Sequence, residues 1–326
     1  MRSSDEIFVT GLSRRMCRLG LLAMFVATSL HSTHSSSNTG DVKIEMQLSP
    51  MAGWQASWTA SQAQSTSIAM IVDDCLLVVC RSPKSNVYKP PLLIDRSNGK
   101  NVVNGLHVQE ILNNDQPGAA PMVQYAPSWF PITSSTHCAM TGLAMDVEHL
   151  CRVMQKVADD YFNVYQTPVS THDMTKKFAR VLQSACMSED SRPFGAQAMI
   201  IGCNDVKDPH PFCMYTLDPS GSWQSWGKAT AIGKYAREVR GILGAKLRAM
   251  SESLFSTMRA SQALVLLVEC WVEICKQQGL KLSNMDDWDI YLLKRDYGTT
   301  SSFQLFRVQP EELTKVLEEV SRTNAQ

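Results

Sequence analysis

Two short apolar runs set the first limit on what this chain can become. Ile68-Ala69-Met70-Ile71-Val72 and Leu76-Leu77-Val78-Val79-Cys80 are divided by Asp73-Asp74. Five-residue runs rich in Val and Ile, split by a polar pair, predict two strands joined by a tight two-residue turn. The stretch 82–127 then turns polar and carries Pro90-Pro91, Asn98-Gly99 and Pro117-Gly118, which is loop chemistry. A loop of that length is uncommon inside a compact domain, so it reads as an insertion at a surface edge.

From Asp146 the apolar period changes. Val147, Leu150, Met154, Val157 and Tyr161 recur at three- and four-residue steps and fall on one helical face. Gln166-Thr167-Pro168 ends that helix. Ser170 with Asp173 three positions later is a helix-start spacing, and Met174, Phe178, Val181, Leu182 and Ala185 form the next stripe. Strand patterns return at 196–203, 212–217 and 222–226, the last two joined by Asp218-Pro219-Ser220-Gly221. Helices follow at about 235–250 and 258–276, the second apolar nearly all round and therefore buried. A last strand pair, 289–295 and 303–308, precedes a helix opened by Pro310. Clustered strands and clustered helices predict an α+β protein with antiparallel sheets and helices layered outside them, not an alternating parallel fold.

Charge narrows the function classes. The 326 residues carry 31 Lys+Arg and 31 Asp+Glu. A zero balance supplies no long-range attraction to phosphate backbones, so no nucleic-acid partner is expected. Ten cysteines include no Cys-x-x-Cys pair, and several sit in apolar runs. They read as reduced core thiols, with neither a metal nor a cofactor assigned. At the N-terminus, Arg14, Arg15 and Arg18 precede the apolar run Leu19–Leu30. That has the shape of a secretory signal but is too short to span a bilayer, so no membrane partner is expected. Asp5 and Glu6 ahead of the arginines fit an N-terminal extension instead, and residues 1–36 are set apart as an extension or targeting segment.

Three motifs carry a resemblance. Arg192-Pro193-Phe194-Gly195, Asp218-Pro219-Ser220-Gly221 and Trp226-Gly227-Lys228-Ala229-Thr230-Ala231-Ile232-Gly233-Lys234 follow one another in the order and spacing of proteasome alpha-type subunits. Tyr161–Pro168 and Pro131-Ile132-Thr133 resemble the type-2 branch. The resemblance covers 37–322 apart from the insertion, and 37–326 is taken as the domain. It implies a four-layer αββα sandwich, the fold of N-terminal nucleophile hydrolases. It also implies a non-catalytic subunit of the core particle's outer ring, which bounds substrate entry in ubiquitin-dependent protein degradation. The implied partners are other alpha subunits laterally, beta subunits axially and regulatory particles, and the implied location is cytoplasmic and nuclear. Gly40–Gln47 resembles the family's N-terminal run with Met46 in place of tyrosine, which makes Ile44, Glu45 and Met46 the expected ring-contact or gate segment. No Tyr-Asp-Arg triplet precedes it. Ser128 stands where many alpha subunits carry the lysine that receives an activator tail.

The related beta subunits are threonine hydrolases, and their chemistry needs a free N-terminal threonine whose own amine acts as base. The aligned segment is Gln64-Ser65-Thr66-Ser67, with no Gly-Thr junction and a long chain ahead of it. Arg81 takes the position of the family's aspartate, which reverses the local field. No catalytic residue is therefore assigned. Two alternatives are a hydrolase activated by processing before Ser65 or Thr66, and a diverged paralogue in an alternative particle. Asp218 and Ser220 read as turn residues, and Asp286-Asp287 and Glu311-Glu312 as flanks or caps of following elements. Lys228 and Lys234 lack a glycine-rich phosphate loop, and Trp223 with Trp226 read as packing or subunit contacts.

Overall fold

A computed structural model describes residues 50–63, 65–72, 75–81, 101–110, 129–133, 135–188, 191–203, 211–280, 288–295 and 303–323. Strands β1 (Thr66–Val72) and β2 (Cys75–Arg81) pair antiparallel, with Val72 opposite Cys75 at the turn. They lie in a seven-stranded sheet with β10 (Ala229–Gly233), β11 (Trp288–Arg295), β12 (Phe303–Val308), β4 (Leu106–Glu110) and β3 (Asn101–Val103). Its order is β10-β1-β2-β11-β12-β4-β3. A five-stranded sheet runs β5-β6-β7-β8-β9, built from Trp129–Pro131, Thr136–Gly142, Ala196–Cys203, Phe212–Leu217 and Trp223–Trp226. Each neighbouring pair in both sheets is antiparallel.

Alternation along the strands sorts side chains into three apolar layers. Ala69, Leu76, Val78, Tyr291 and Leu293 meet Ala139, Met199, Ile201 and Met214 between the sheets. Their alternates Ile68, Met70, Leu77, Val79 and Leu292 face α4 (Ala236–Ala249), α6 (Ala260–Gln277) and α7 (Pro310–Thr323). On the far side, Cys138, Met140, Ala198 and Ile200 pack under α2 (Ala144–Tyr165) and α3 (Thr171–Met187). The result is the four-layer αββα sandwich. Burial of β1 and β2 on both faces explains why they read as unbroken apolar runs and not as alternating ones.

Most sequence-derived elements fall where the periodicity puts them. Ser170 caps α3 by accepting a hydrogen bond from the Asp173 amide at 3.1 Å. Helix α6 turns Leu264, Leu267, Cys270, Trp271 and Ile274 inward and is buried around most of its girth. Not anticipated were α1 (Pro50–Ala63), the short α5 (Glu252–Ser256), strands β5, β6 and β10, and the hairpin β3–β4. The hairpin corrects the reading of 82–127 as loop alone, because residues 101–110 extend the larger sheet beyond β12. Asn104-Gly105 forms its turn, both residues at positive φ, between Val102-Val103 and Leu106 to Val108. That is the strongest short hairpin signal a sequence can carry. Leu106 and Val108 are buried in the helix-side core, and Asn104 Nδ2 donates to Cys75 Sγ at 3.4 Å.

Among the described residues the nine cysteines are free thiols, seven of them buried. No three His, Cys, Asp or Glu side chains there come together as a metal cluster would need, and no described helix is long and apolar enough to cross a membrane.

Candidate functional site

The place to look for chemistry is the start of β1, where the hydrolase branch of the resemblance would carry its nucleophile. Thr66 is 2% exposed and pairs with Gly233 of β10. Its Oγ1 donates to the Lys234 carbonyl at 2.6 Å, so the hydroxyl hydrogen is committed to the backbone. Lys234 N in turn donates to the Ser65 carbonyl at 3.3 Å. Gly233 makes this closeness possible: at φ +84°, a Cβ there would lie 2.0 Å from the Ser65 oxygen. The Gly233 amide donates across to Gln197 Oε1 of β7 at 3.1 Å, latching one sheet to the other.

Helix α1 closes the same end. Ser57 Oγ donates to the Pro193 carbonyl at 2.9 Å, and Thr141 Oγ1 of β6 donates to the Ser61 carbonyl at 3.3 Å. A Cβ on Gly195 would sit 3.2 Å from that of Ala60. The buried face of α1 is thus Ser57, Ala60 and Ser61, small side chains that let helix backbone approach strand backbone. Beneath it, Ser67, Cys80 and Asp289 lie in register across three strands. Burial pushes the Cys80 thiol up to about 12, so it is no thiolate nucleophile. The backbone of Arg81 ends β2 opposite Trp288.

The three motifs converge on joints between layers. Arg192 grips Asp146 with both terminal nitrogens, at 2.7 and 2.6 Å, and Asp146 Oδ2 also accepts the Gly195 amide at 2.8 Å. Asp146 stands in the first turn of α2, where a carboxylate suits the positive end of the helix. Asp218 Oδ1 accepts the amides of Ser220 and Ser222, so both suspected catalytic types serve the turn, as expected. Trp226 Nε1 donates to Thr216 Oγ1 at 2.8 Å, and the Arg240 guanidinium lies 5.4 Å from its ring centre. From Trp226 the chain leaves the smaller sheet and enters the larger one as β10, with the Lys228 carbonyl accepting the Ile71 amide. Lys228 itself lies over the Phe255 ring and 3.5 Å from Glu252. Glu312 is held by Lys315 at 2.7 Å in the first turn of α7, a flanking role. Trp223 packs edge-on to His172 and Tyr215.

Large apolar side chains are exposed at one helix end. Phe162, Val164 and Tyr165, at the C-terminal end of α2, are 49%, 71% and 61% exposed. Ile44, Glu45, Met46, Ser128 and Asp286-Asp287 lie outside the described residues.

Comparison with known proteins agrees with the architecture. The family model described as Proteasome subunit matches residues 121–286, half of the chain. Proteasome subunit alpha type-2-A of Arabidopsis thaliana is 32% identical over 112 residues, 34% of this chain and 46% of the relative. Proteasome subunit alpha type-2 of Caenorhabditis elegans is 30% identical over 128 residues, 39% and 50% of the two chains. The Drosophila melanogaster alpha type-2 subunit is 32% identical over 96 residues, 29% and 39%. The chain therefore spans half or less of the length of these curated relatives. All three motifs and the whole five-stranded sheet lie in the matched half, and the chain belongs to the proteasome subunit family.

Proposed function

We propose that this chain is a non-catalytic, alpha-type subunit of a proteasome core particle. The observation that carries the reading is the closed start of β1: α1 leads into the strand, and the Thr66 hydroxyl is bonded to the Lys234 carbonyl. A threonine hydrolase needs that residue as a free terminus, with its amine as base. Here Thr66 is flanked by an ordinary peptide bond and roofed by a helix. Processing before Ser65 or Thr66 would have to strip α1 from contacts with β6, β7 and the segment carrying Pro193. The names of the relatives, all alpha type-2, support the same assignment.

In this role residues 37–326 form the subunit domain and 1–36 an extension. The chain sits in an outer ring between sister alpha subunits, docks axially on beta subunits and works in cytoplasm and nucleus. Ile44, Glu45 and Met46 belong to the segment that borders the entry port. The exposed Phe162, Val164 and Tyr165 supply an apolar anchor for a neighbouring subunit, led by the two aromatic rings, because aromatic side chains are enriched at such contacts. Affinity purification of intact core particles from the source cells tests the reading. The chain should co-purify in stoichiometric amount, and its absence from every such preparation would refute the assignment.

A further inference from the structure

The segment joining α4 to α6 has a property that subunit architecture does not require. Of the 31 Lys and Arg residues, Arg248 is the only one with a serine or threonine three positions downstream, and Lys246 adds a second cation two positions before it. The residue it precedes, Ser251, is exposed, as are Arg248, Ala249, Glu252, Ser253 and Leu254. Met250 and Ser251 are both extended, with φ/ψ of −78°/142° and −69°/149°, between the end of α4 and the start of α5. Arg248 and Ala249 lie at the C-terminal end of α4, where opening one turn costs least.

We propose that Ser251 is a phosphorylation site for an arginine-directed serine/threonine kinase. Such a kinase holds an extended peptide and places carboxylates opposite a cation three residues before the acceptor. The Ser251 Oγ attacks the γ-phosphorus of ATP, the bond to the β–γ bridging oxygen breaks, and ADP leaves. The hydroxyl proton passes to the kinase's catalytic aspartate and then to solvent. The site is ready to receive the product charge. Ser251 Oγ now makes only a 3.4 Å contact to the Leu254 amide and a 3.2 Å one to Ser253, both easily given up. A phosphate brings roughly two negative charges and three acceptor oxygens. Lys228 lies 3.5 Å from Glu252, the residue after Ser251, and Arg248 stands three positions before the serine. Lys228 would then exchange a carboxylate for a phosphate at the crossover between the sheets. Met250 and Leu254, on either side of Ser251, line a groove of about 220 Å³ with Met258 and Val265. The modification therefore places charge on the rim of an apolar surface, where it would repel an apolar partner.

The test uses the full purified chain with Mg-ATP and an arginine-directed kinase, and peptide mass spectrometry to place the phosphate. Expected is a single phosphate on Ser251, lost in Ser251→Ala, kept in Ser251→Thr, and formed at least about tenfold more slowly in Arg248→Ala. Thermal midpoints of Ser251→Thr and Arg248→Ala should match the parent, and that of Ser251→Ala should fall only slightly, through loss of the cap on the Leu254 amide. Phosphate on other residues of the folded chain, no uptake at all, or an unchanged rate in Arg248→Ala would overturn the proposal.

Discussion

Arg192 and Asp146 stand 46 positions apart and close on each other as a two-pronged ion pair, with N···O distances of 2.6 and 2.7 Å. The Asp146 side chain is 7% exposed and that of Arg192 23%. The pair fixes the first turn of α2 to the segment entering β7, and Pro193 beside it receives α1. Breaking a buried pair by deleting one partner leaves an uncompensated charge and costs about 3–5 kcal/mol. Asp146→Ala should fall in that range, because it removes the acceptor of the Gly195 amide as well as the carboxylate that pairs with Arg192. Arg192→Ala should cost less, since its end reaches water. Urea unfolding of the two single variants and the double variant would check this, and the double should be less than additive.

Gly233 and Gly227 should behave oppositely although both belong to one motif. A Cβ at Gly233 meets the Ser65 carbonyl at 2.0 Å and is held at φ +84°, whereas nothing lies within 4 Å of a Cβ at Gly227. Gly233→Ala should cost about 3 kcal/mol or more, or yield insoluble protein, through strain and a displaced strand. Gly227→Ala should change stability by no more than about 0.5 kcal/mol. Thermal melts of the pair decide it.

Acid should weaken the inter-sheet layer through His137. The ring is 1% exposed and stacked on Trp129 at 5.3 Å, with Tyr291 on the other indole contact at 5.0 Å. Burial lowers its pKa from 6.5 to about 4. A histidine held neutral by the fold contributes stability that is fully present above pH 6.5. That contribution falls away as pH drops from 6.5 through 4, by on the order of 3 kcal/mol. His137→Phe keeps the stack and removes the proton site. Its unfolding free energy should decline less than the parent's between pH 7 and pH 4, measured by denaturant titration at each pH.

Thr66→Val separates structure from chemistry. Removing the hydroxyl orphans nothing but half of the Lys234 carbonyl's capacity, so stability should drop by about 1 kcal/mol. Peptide hydrolysis by the purified chain should be at background both before and after the change. A measurable peptidase activity abolished by Thr66→Val would show the strand end to be armed.

Assembly should depend on the end of α2. Phe162→Asp with Val164→Asp and Tyr165→Asp places charge on side chains that are already exposed, so the isolated chain should fold with an unchanged circular dichroism spectrum. Its incorporation into core particles should fall at least about tenfold, read by native gels of cell extract, because desolvating an unpaired carboxylate at an interface is costly.

Periodicity sufficed for the long helices, which bury large apolar side chains along one face. Leu150, Met154, Met174, Phe178 and Leu182 announce α2 and α3 because one helical face had to be oily. It failed for α1, whose inward face is Ser57, Ala60 and Ser61 and whose grip comes from carbonyls and hydroxyls. Small residues chosen for close backbone approach leave no apolar stripe to detect. The hairpin at Asn104-Gly105 was legible in principle but sat within a Pro- and Gly-rich stretch whose average character is loop. Strand β10 was hidden for a different reason. Ala229, Thr230 and Ala231 carry little hydrophobicity, and their strand is specified by the β1 partner they meet, not by their own pattern. The joints made by Arg192, Asp218 and Trp226 could be located from the motifs, yet which layers they join needed the coordinates.

The threading of α1 into β1 has an evolutionary corollary. Any single step toward exposing Thr66 would first undo the clasp between helix, strand and Gly233, so the intermediates would be poorly folded before they were reactive. On the reading proposed above, inertness is kept by the cost of unravelling the sandwich end and does not rest on the identity of any one side chain.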